Sequence, residues 1–394
     1  MDPFRNPFAP GAGSRPPELA GRDDVLSQAK LACGRAVKGR HARSLMLLGL
    51  RGTGKTVLLN EISRIGNKTG MLTSKIEAPE DSDLAKLLAP EMRKVMRSLS
   101  SVSAAKDAAS HALRGLRSFA SIFKLELGGV GVGVEPEPGL ADSGDIQFDL
   151  PDLFEAIGKA AEAAGKGWLL LIDEVQYLSA DDLSAIIVSM HRMSQSSLPV
   201  VFVGAGLPQV AKLAGEAKSY SERLFVYPEI GALDPDAARR AVEVPIQEED
   251  ASIAPPALDE IVERTHGYPF FLQEWASLCW DASEGPQITF EDVHYAYQET
   301  IQSLDQGFFK VRLDQLTKSE IAFVHAMARL GDGPYQMSEV AKEMDRKPSS
   351  LSPTRASIVK KGTIYSTDHG YIGFTVPLFA DFLRRQAVQS GTNP

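Results

Sequence analysis

The segment Gly49-Leu-Arg-Gly-Thr-Gly-Lys-Thr56 has the residue types and spacing of a phosphate cradle, fitting G-x-x-x-x-G-K-[ST] at every required position. Glycines let backbone N–H groups turn inward around phosphates without a Cβ in the way, and a helix starting where the turn ends adds the positive end of its dipole. In such a loop Lys55 reaches the β- and γ-phosphates and the Thr56 hydroxyl ligates Mg²⁺. Gly49, Arg51, Gly52, Thr53, Gly54, Lys55, Thr56 and Val57 are therefore the candidate contacts of ATP. Downstream, Trp168-Leu-Leu-Leu-Ile-Asp-Glu174 is an apolar run ending in two adjacent carboxylates. Asp173 is suited to the Mg²⁺ shell, beside Thr56, and Glu174 to orienting and deprotonating an attacking water. Gln176 either holds that water, pairs with Glu174 or is simply solvated.

These groups need a scaffold that brings two strand ends together. Ser44–Leu48 reads as a buried strand feeding the glycine turn, and Lys55–Arg64 as the helix leaving it. Further strand-like runs at Met71–Ile76, Trp168–Ile172, Pro199–Val203 and Arg223–Tyr227 alternate with helix-forming sequence, which predicts a parallel α/β sheet over residues 21–230. An interruption at about 98–149 passes from an Ala/Ser/Lys-rich, helix-compatible stretch into a Gly/Val alternation and a Pro/Gly/Asp tract. It reads as a surface hairpin and flexible loop, with a partner-binding or lipid-touching insertion as the alternative. Residues 1–20, rich in Pro and Gly, read as an extended arm. After Ile230 the pattern turns helical to about residue 305, and residues 306–394 give three helical stretches followed by two short strands, the layout of a winged helix.

Composition agrees with an ordinary globular chain: of 394 residues, 43% are hydrophobic and 24% charged, and no apolar run approaches membrane-spanning length. Cys33 and Cys279 form neither a disulfide framework nor a metal cluster, and the first residues lack the pattern of a secretory leader, so a cytoplasmic location is expected. The net charge of −9 is uneven, because residues after 306 carry 12 Lys and Arg against 8 Asp and Glu, +4, leaving −13 for the rest.

Together the loop, the apolar strand ending in Asp-Glu, the later Gly267-Tyr-Pro269 and the terminal three-helix-and-hairpin pattern resemble the AAA+ and STAND-related P-loop ATPases with an origin-recognition-type ATPase domain, a group that includes many prokaryotic ATP-binding proteins. The resemblance runs from Glu18 to Arg385. It implies an α/β P-loop NTPase fold with a five-stranded parallel sheet, a helical lid over the nucleotide and a C-terminal winged-helix domain. It also implies that Arg22, in Glu18-Leu-Ala-Gly-Arg-Asp23, lies near the adenine, and that Tyr268 and Pro269 pack against base or ribose. Arg223, in Ser219-Tyr-Ser-Glu-Arg223, stands where the family places an arginine finger or γ-phosphate sensor; a structural ion pair is the alternative. Two features depart from the family. Gly204-Ala205-Gly206 stands where relatives carry a polar sensor, and no Arg or Lys follows Gly267-Tyr-Pro269 to act as the lid's sensor. Both departures point to slow, switch-like hydrolysis.

In a helix-turn-helix the second helix meets DNA. The corresponding stretch is Leu351–Lys361, flanked by Arg346, Lys347, Arg355, Lys360 and Lys361 with no acidic residue from 346 to 367. The wing tip Thr367-Asp368-His369-Gly370 lacks a cation for a minor groove. Three functions fit: an ATP-hydrolysing switch coupled to its winged helix and to partner or self-assembly, an ATP-regulated DNA-binding initiator or regulator, and a non-catalytic nucleotide-gated scaffold.

Overall fold

The computed structural model describes residues 1–11, 13–80, 83–125 and 138–389. The chain divides into two compact units, one of Arg22–Gly49 and Gly54–Ile230, the other of Met1–Gly21, Leu50–Thr53 and Gly231–Pro394.

The first unit is built on five parallel strands, β1 (Ser44–Leu48), β2 (Met71–Glu77), β3 (Gly167–Asp173), β4 (Val200–Gly206) and β5 (Phe225–Val226), in the order β2-β3-β4-β1-β5. Every residue of β1, β3 and β4 is buried, as a parallel sheet covered on both faces requires. The period of two is visible in β3: Trp168, Leu170 and Ile172 enter one apolar cluster, Leu169 and Leu171 the other. Helices Asp23–Val37 and Lys55–Lys68 supply the smaller cluster, with Ala29, Cys33, Leu58 and Ile62 buried. The larger cluster is roofed by Leu84–Ser100, Lys106–Ile122, Ile146–Ala163 and Ala180–Gln195. Trp168 packs edge-on against Phe154 at 4.7 Å between ring centroids, and its indole N–H donates to the Ser74 hydroxyl at 3.1 Å.

The Ala/Ser/Lys-rich start of the presumed surface insertion differs from expectation. It forms the helix Lys106–Ile122, whose Ala109, Ala112, Leu116 and Phe119 lie in the main core. The small residues permit this, since a Cβ on Gly115 would fall 2.5 Å from Leu140 Cδ2. The Gly/Val alternation that follows lies outside the described residues.

In the second unit, helices Pro235–Glu248, Pro255–Thr265, Pro269–Ala282 and Phe290–Ser303 enclose Leu272, Trp275 and Trp280. The residues read as an extended arm pack here: Phe8 is buried in this cluster, Trp280 Nε1 donates to the Asp2 carbonyl at 3.0 Å and Arg5 pairs with Glu249 at 2.9 Å. Helices Lys318–Arg329, Met337–Glu343 and Pro348–Lys360 follow, then a hairpin of Ile364–Asp368 and Tyr371–Phe374 with Tyr335–Gln336 on its edge, and a last helix Phe379–Gln389. An aromatic chain joins these parts, with Phe270 stacked on Phe308 at 4.5 Å and Phe309 on Phe382 at 5.3 Å. Among the described residues no helix is long and apolar enough to cross a membrane.

If Lys106–Ile122 is core, Phe119→Ala removes a fully buried ring and lowers stability by about 3–5 kcal/mol. Denaturant unfolding of the full chain measures this; a loss below about 1 kcal/mol would place the helix outside the core.

Candidate functional site

In the sheet unit, β1 ends at Leu48 and is pinned beyond its last pair, because Gly49 N–H donates to the Gly206 carbonyl at 3.0 Å and Ile230 N–H to the Leu48 carbonyl at 2.6 Å. Gly54 then adopts φ +90°, open to glycine and strained for any other residue, and starts helix Lys55–Lys68. Lys55 is 6% exposed and donates from Nζ to the Gly49 carbonyl at 2.9 Å. Thr56, on the first turn, donates from Oγ1 to Asp173 Oδ2 at 2.6 Å. Val57 sits half-buried on the same turn. Two groups 117 residues apart in sequence thus meet because β4 is the one strand between β1 and β3.

Asp173 is 2% exposed and held in place by the Glu174 N–H at 3.0 Å. Burial raises its pKa above the ordinary carboxylate value, the Thr56 hydroxyl opposes the rise, the Glu174 charge adds to it and Lys55 opposes it. Glu174 has a left-handed backbone, φ +56°, which turns its half-buried side chain out of the strand. Gln176 spans two elements: its amide Nε2 donates to Glu174 Oε2 while its Oε1 accepts the Leu207 N–H, just past β4, at 3.2 Å. Of the three readings of Gln176, pairing with the glutamate is the one realised. Arg223 lies on the short helical turn Ser221–Leu224, exposed and without an ion pair among the described residues. Arg22 caps the start of helix Asp23–Val37 and is half-buried.

The apex of the loop, Leu50–Thr53, belongs to the other unit. Thr53 is buried and donates from Oγ1 to the Leu50 carbonyl at 2.9 Å. Arg51 N–H donates to the Thr375 carbonyl at 3.0 Å, the Tyr268 hydroxyl donates to the Arg51 carbonyl, and Phe270 N–H donates to the Gly52 carbonyl at 3.3 Å. Gly52 has φ +82°, and a Cβ there would fall 3.1 Å from Tyr268 Cε1 and 3.3 Å from Phe270 Cβ. Tyr268 and Pro269 stand at the start of helix Pro269–Ala282, and it is Tyr268 and Phe270 that bond the loop backbone. The contact partner Thr375 carries no motif that sequence reasoning could have used.

The basic residues of the C-terminal region do not form one surface. Arg346, Lys347 and Lys360 are exposed, whereas Arg355 donates to the Ser366 hydroxyl at 2.6 Å. Lys361 pairs with buried Glu320 at 2.7 Å and donates to the Gln315 carbonyl at 2.9 Å. Burial would raise the pKa of Glu320, yet hydrogen bonds from Lys361, Ser357 and Thr317 override it and hold the carboxyl at about 2.

Residues 18–203 match the family model of the AAA ATPase domain, and residues 306–383 match a model described as a domain of unknown function. No curated protein matches the chain. Among solved structures, the chain is similar to a Walker-type ATPase of Pyrococcus abyssi, at 18% identity and TM-score 0.55 over 94% of this chain and 97% of that one. Two others are the Aeropyrum pernix Orc1 protein in complex with DNA (14%, TM-score 0.47, 99% and 98%) and the Thermotoga maritima RuvB Holliday junction branch migration motor (14%, 0.44, 97% and 100%). Residues 18–203 thus match the AAA ATPase domain, and most of them lie in a unit of α/β fold built on a five-stranded parallel sheet.

Because Lys361 neutralises a buried carboxylate, Lys361→Ala lowers stability by about 1–3 kcal/mol. The folded Glu320 binds its proton more weakly than the unfolded one. Its contribution is therefore full above its ordinary pKa of 4.5 and is lost as pH falls towards about 2. Glu320→Gln flattens that acid limb; a loss below about 0.5 kcal/mol in Lys361→Ala would contradict the pairing.

Proposed function

We propose that this AAA+-type chain binds ATP with Mg²⁺ through Gly49–Thr56, hydrolyses it slowly, and uses nucleotide state to set the contacts between its loop apex and its C-terminal module, a winged helix in our reading. The observation carrying this is the 2.6 Å contact between the hydroxyl of Thr56, next to Lys55, and the buried carboxylate of Asp173. A hydroxyl and a carboxylate at this distance can share one hard cation, and the raised proton affinity of Asp173 fits a carboxylate that a cation would serve. Lys55, now on a neutral carbonyl, would turn to phosphate oxygens. When bound, Mg²⁺ would supply charge neutralisation at the phosphates, its remaining positions taken by phosphate oxygens and water.

In hydrolysis, a water oxygen forms the new bond to the γ-phosphorus, the bond to the β–γ bridging oxygen breaks, and Glu174 accepts the water's proton. The Gln176 amide donates to Glu174 Oε2, which stabilises the carboxylate and makes it a weaker base, and this supports slow turnover. The backbone bond from Arg51 to Thr375 and the Tyr268 and Phe270 bonds to the loop carbonyls support coupling, since they tie the residues around the phosphates to the hairpin's exit strand and the first lid residues. The DNA-binding alternative narrows to Arg346, Lys347 and Lys360, because Arg355 and Lys361 serve internal bonds. We place the protein in the cytoplasm.

Lys55→Ala abolishes ATP binding, and Glu174→Gln binds ATP but turns over at least about 100-fold more slowly. Nucleotide titration and phosphate release check both; full turnover by Glu174→Gln would put the base elsewhere.

Arg223, exposed and without an ion pair among the described residues, is suited to the γ-phosphate of a neighbouring copy, where such a finger contributes on the order of 10³-fold or more. Mixing inactive Lys55→Ala with inactive Arg223→Ala then restores part of the activity, because some sites combine an intact loop with an intact arginine. A co-assembled mixture that stays inactive would limit Arg223 to its own subunit or to a structural role.

A further inference from the structure

Residues 2–9 lie along the helical bundle as a bound peptide would. Helix Pro269–Ala282 carries Gln273, Ser277, Trp280 and Asp281 at the spacing that puts them on one face. From that face Trp280 Nε1 donates to the Asp2 carbonyl at 3.0 Å, and the Gln273 amide oxygen accepts the Ala9 N–H at 3.3 Å. The Asn6 amide donates to the Ser277 carbonyl at 3.1 Å and to Asp281 Oδ1 at 2.9 Å. Phe8 is 7% exposed inside the bundle's apolar cluster. Arg5 donates from Nε to Glu249 Oε2 at 2.9 Å and from Nη2 to the Glu249 carbonyl at 3.2 Å. A buried apolar anchor flanked by such bonds is how a groove recognises a short segment.

Two features of this segment are not used by its own bundle. Residues 3–5 form a single turn whose start Asp2 caps, its carboxylate accepting the Phe4 N–H at 2.9 Å. The turn holds the Phe4 ring outward, 99% exposed, so the docked segment presents apolar surface that the bundle leaves in water. The segment is also tied on by a tether, residues 10–19, that includes Pro10, Gly11, Gly13, Pro16 and Pro17 and has no helix or strand among its described residues. The chain is fastened again at Ala20, packed with Ala237 and Ala241. Ten extended residues reach about 35 Å, enough to carry the segment to the same groove on a second copy. There it makes the same bonds, so exchange forfeits no contact, and it brings Phe4 against a second molecule.

We propose that residues 2–9 exchange between two copies of this chain, each copy's segment filling the other's groove on Pro269–Ala282, with Phe4 buried in the contact that the exchange creates. The partner is a second copy because the groove already fits this segment side chain by side chain, and every copy carries both. The contact is reciprocal, so two copies close it.

The test is sedimentation of the full chain over a range of concentrations. The wild type forms dimers, and Phe4→Ser, which alters a fully exposed side chain, weakens dimerisation by about 10-fold or more with the melting temperature unchanged. Arg5→Glu and Glu249→Arg each set like charges face to face whether the segment docks on its own copy or on an identical one, so each alone is monomeric. Mixed 1:1 they form dimers again, because only exchange between the two unlike copies sets opposite charges in both grooves. A wild type that sediments as a monomer would overturn the proposal. So would dimers that persist at wild-type strength in Phe4→Ser or in either charge variant, and so would a mixture that stays monomeric.

Discussion

A loop that turns its N–H groups inward around a phosphate points carbonyls outward, and those carbonyls need donors from somewhere other than a sheet ladder. Here the donors are the Tyr268 hydroxyl, for Arg51, and the Phe270 N–H, for Gly52, while the outward N–H of Arg51 finds the Thr375 carbonyl. Burial pushes the Tyr268 phenol far above its ordinary pKa, so it remains a donor throughout the pH range in which the protein would work. The close approach also explains why Gly52 must be glycine: its φ of +82° and the ring of Tyr268 both exclude a Cβ. Gly267, just before Tyr268, is constrained in the same way, with φ +67° and the Leu233 carbonyl 2.5 Å from where its Cβ would stand. The glycine-tyrosine-proline element is therefore a fitting for the loop backbone.

Two ionisable groups beside the loop are buried: Lys55, which donates to the Gly49 carbonyl, and Asp173, whose proton affinity burial raises. Burial makes the charged form of that carboxylate costly. By contrast, the Lys361–Glu320 pair is complete, with Ser357 and Thr317 filling the remaining lone pairs of the carboxylate. That completeness marks it as architecture.

The parts legible in the sequence are those in which covalent spacing fixes geometry. Eight consecutive residues make the loop, an apolar run makes β3, and the carboxylates at its end fall beside Thr56 once β4 inserts between them. Legibility fails where function depends on tertiary neighbours. Lys361 and Arg355 look like surface cations in sequence, yet Glu320 and Ser366 claim them. Helix Lys106–Ile122 is rich in Ala, Ser and Lys, so its buried stripe has little contrast with its outer face, and only close packing by small residues makes it core. The first residues have no period at all, and Phe8 with the Asp2 carbonyl fixes them.

The glycines ending β4 seemed, in sequence, to be a missing polar group. The structure gives a steric account. A Cβ on Gly204 would fall 2.7 Å from Met46 Sδ, and one on Gly206 2.8 Å from both Gln176 Oε1 and Val210 Cγ2. No side chain fits at either position without displacing its neighbours. The polar group comes from the turn after β3 instead, since Gln176 reaches across to the Leu207 N–H with one end of its amide and to Glu174 with the other. An amide in that position cannot satisfy β4 and release Glu174 independently, because its oxygen and nitrogen are held in one rigid plane, one accepting and one donating. Any shift at the end of β4 is therefore transmitted to the carboxylate. The Gly49 N–H, which bonds the Gly206 carbonyl in the same strand end, makes the first residue of the loop part of that linkage.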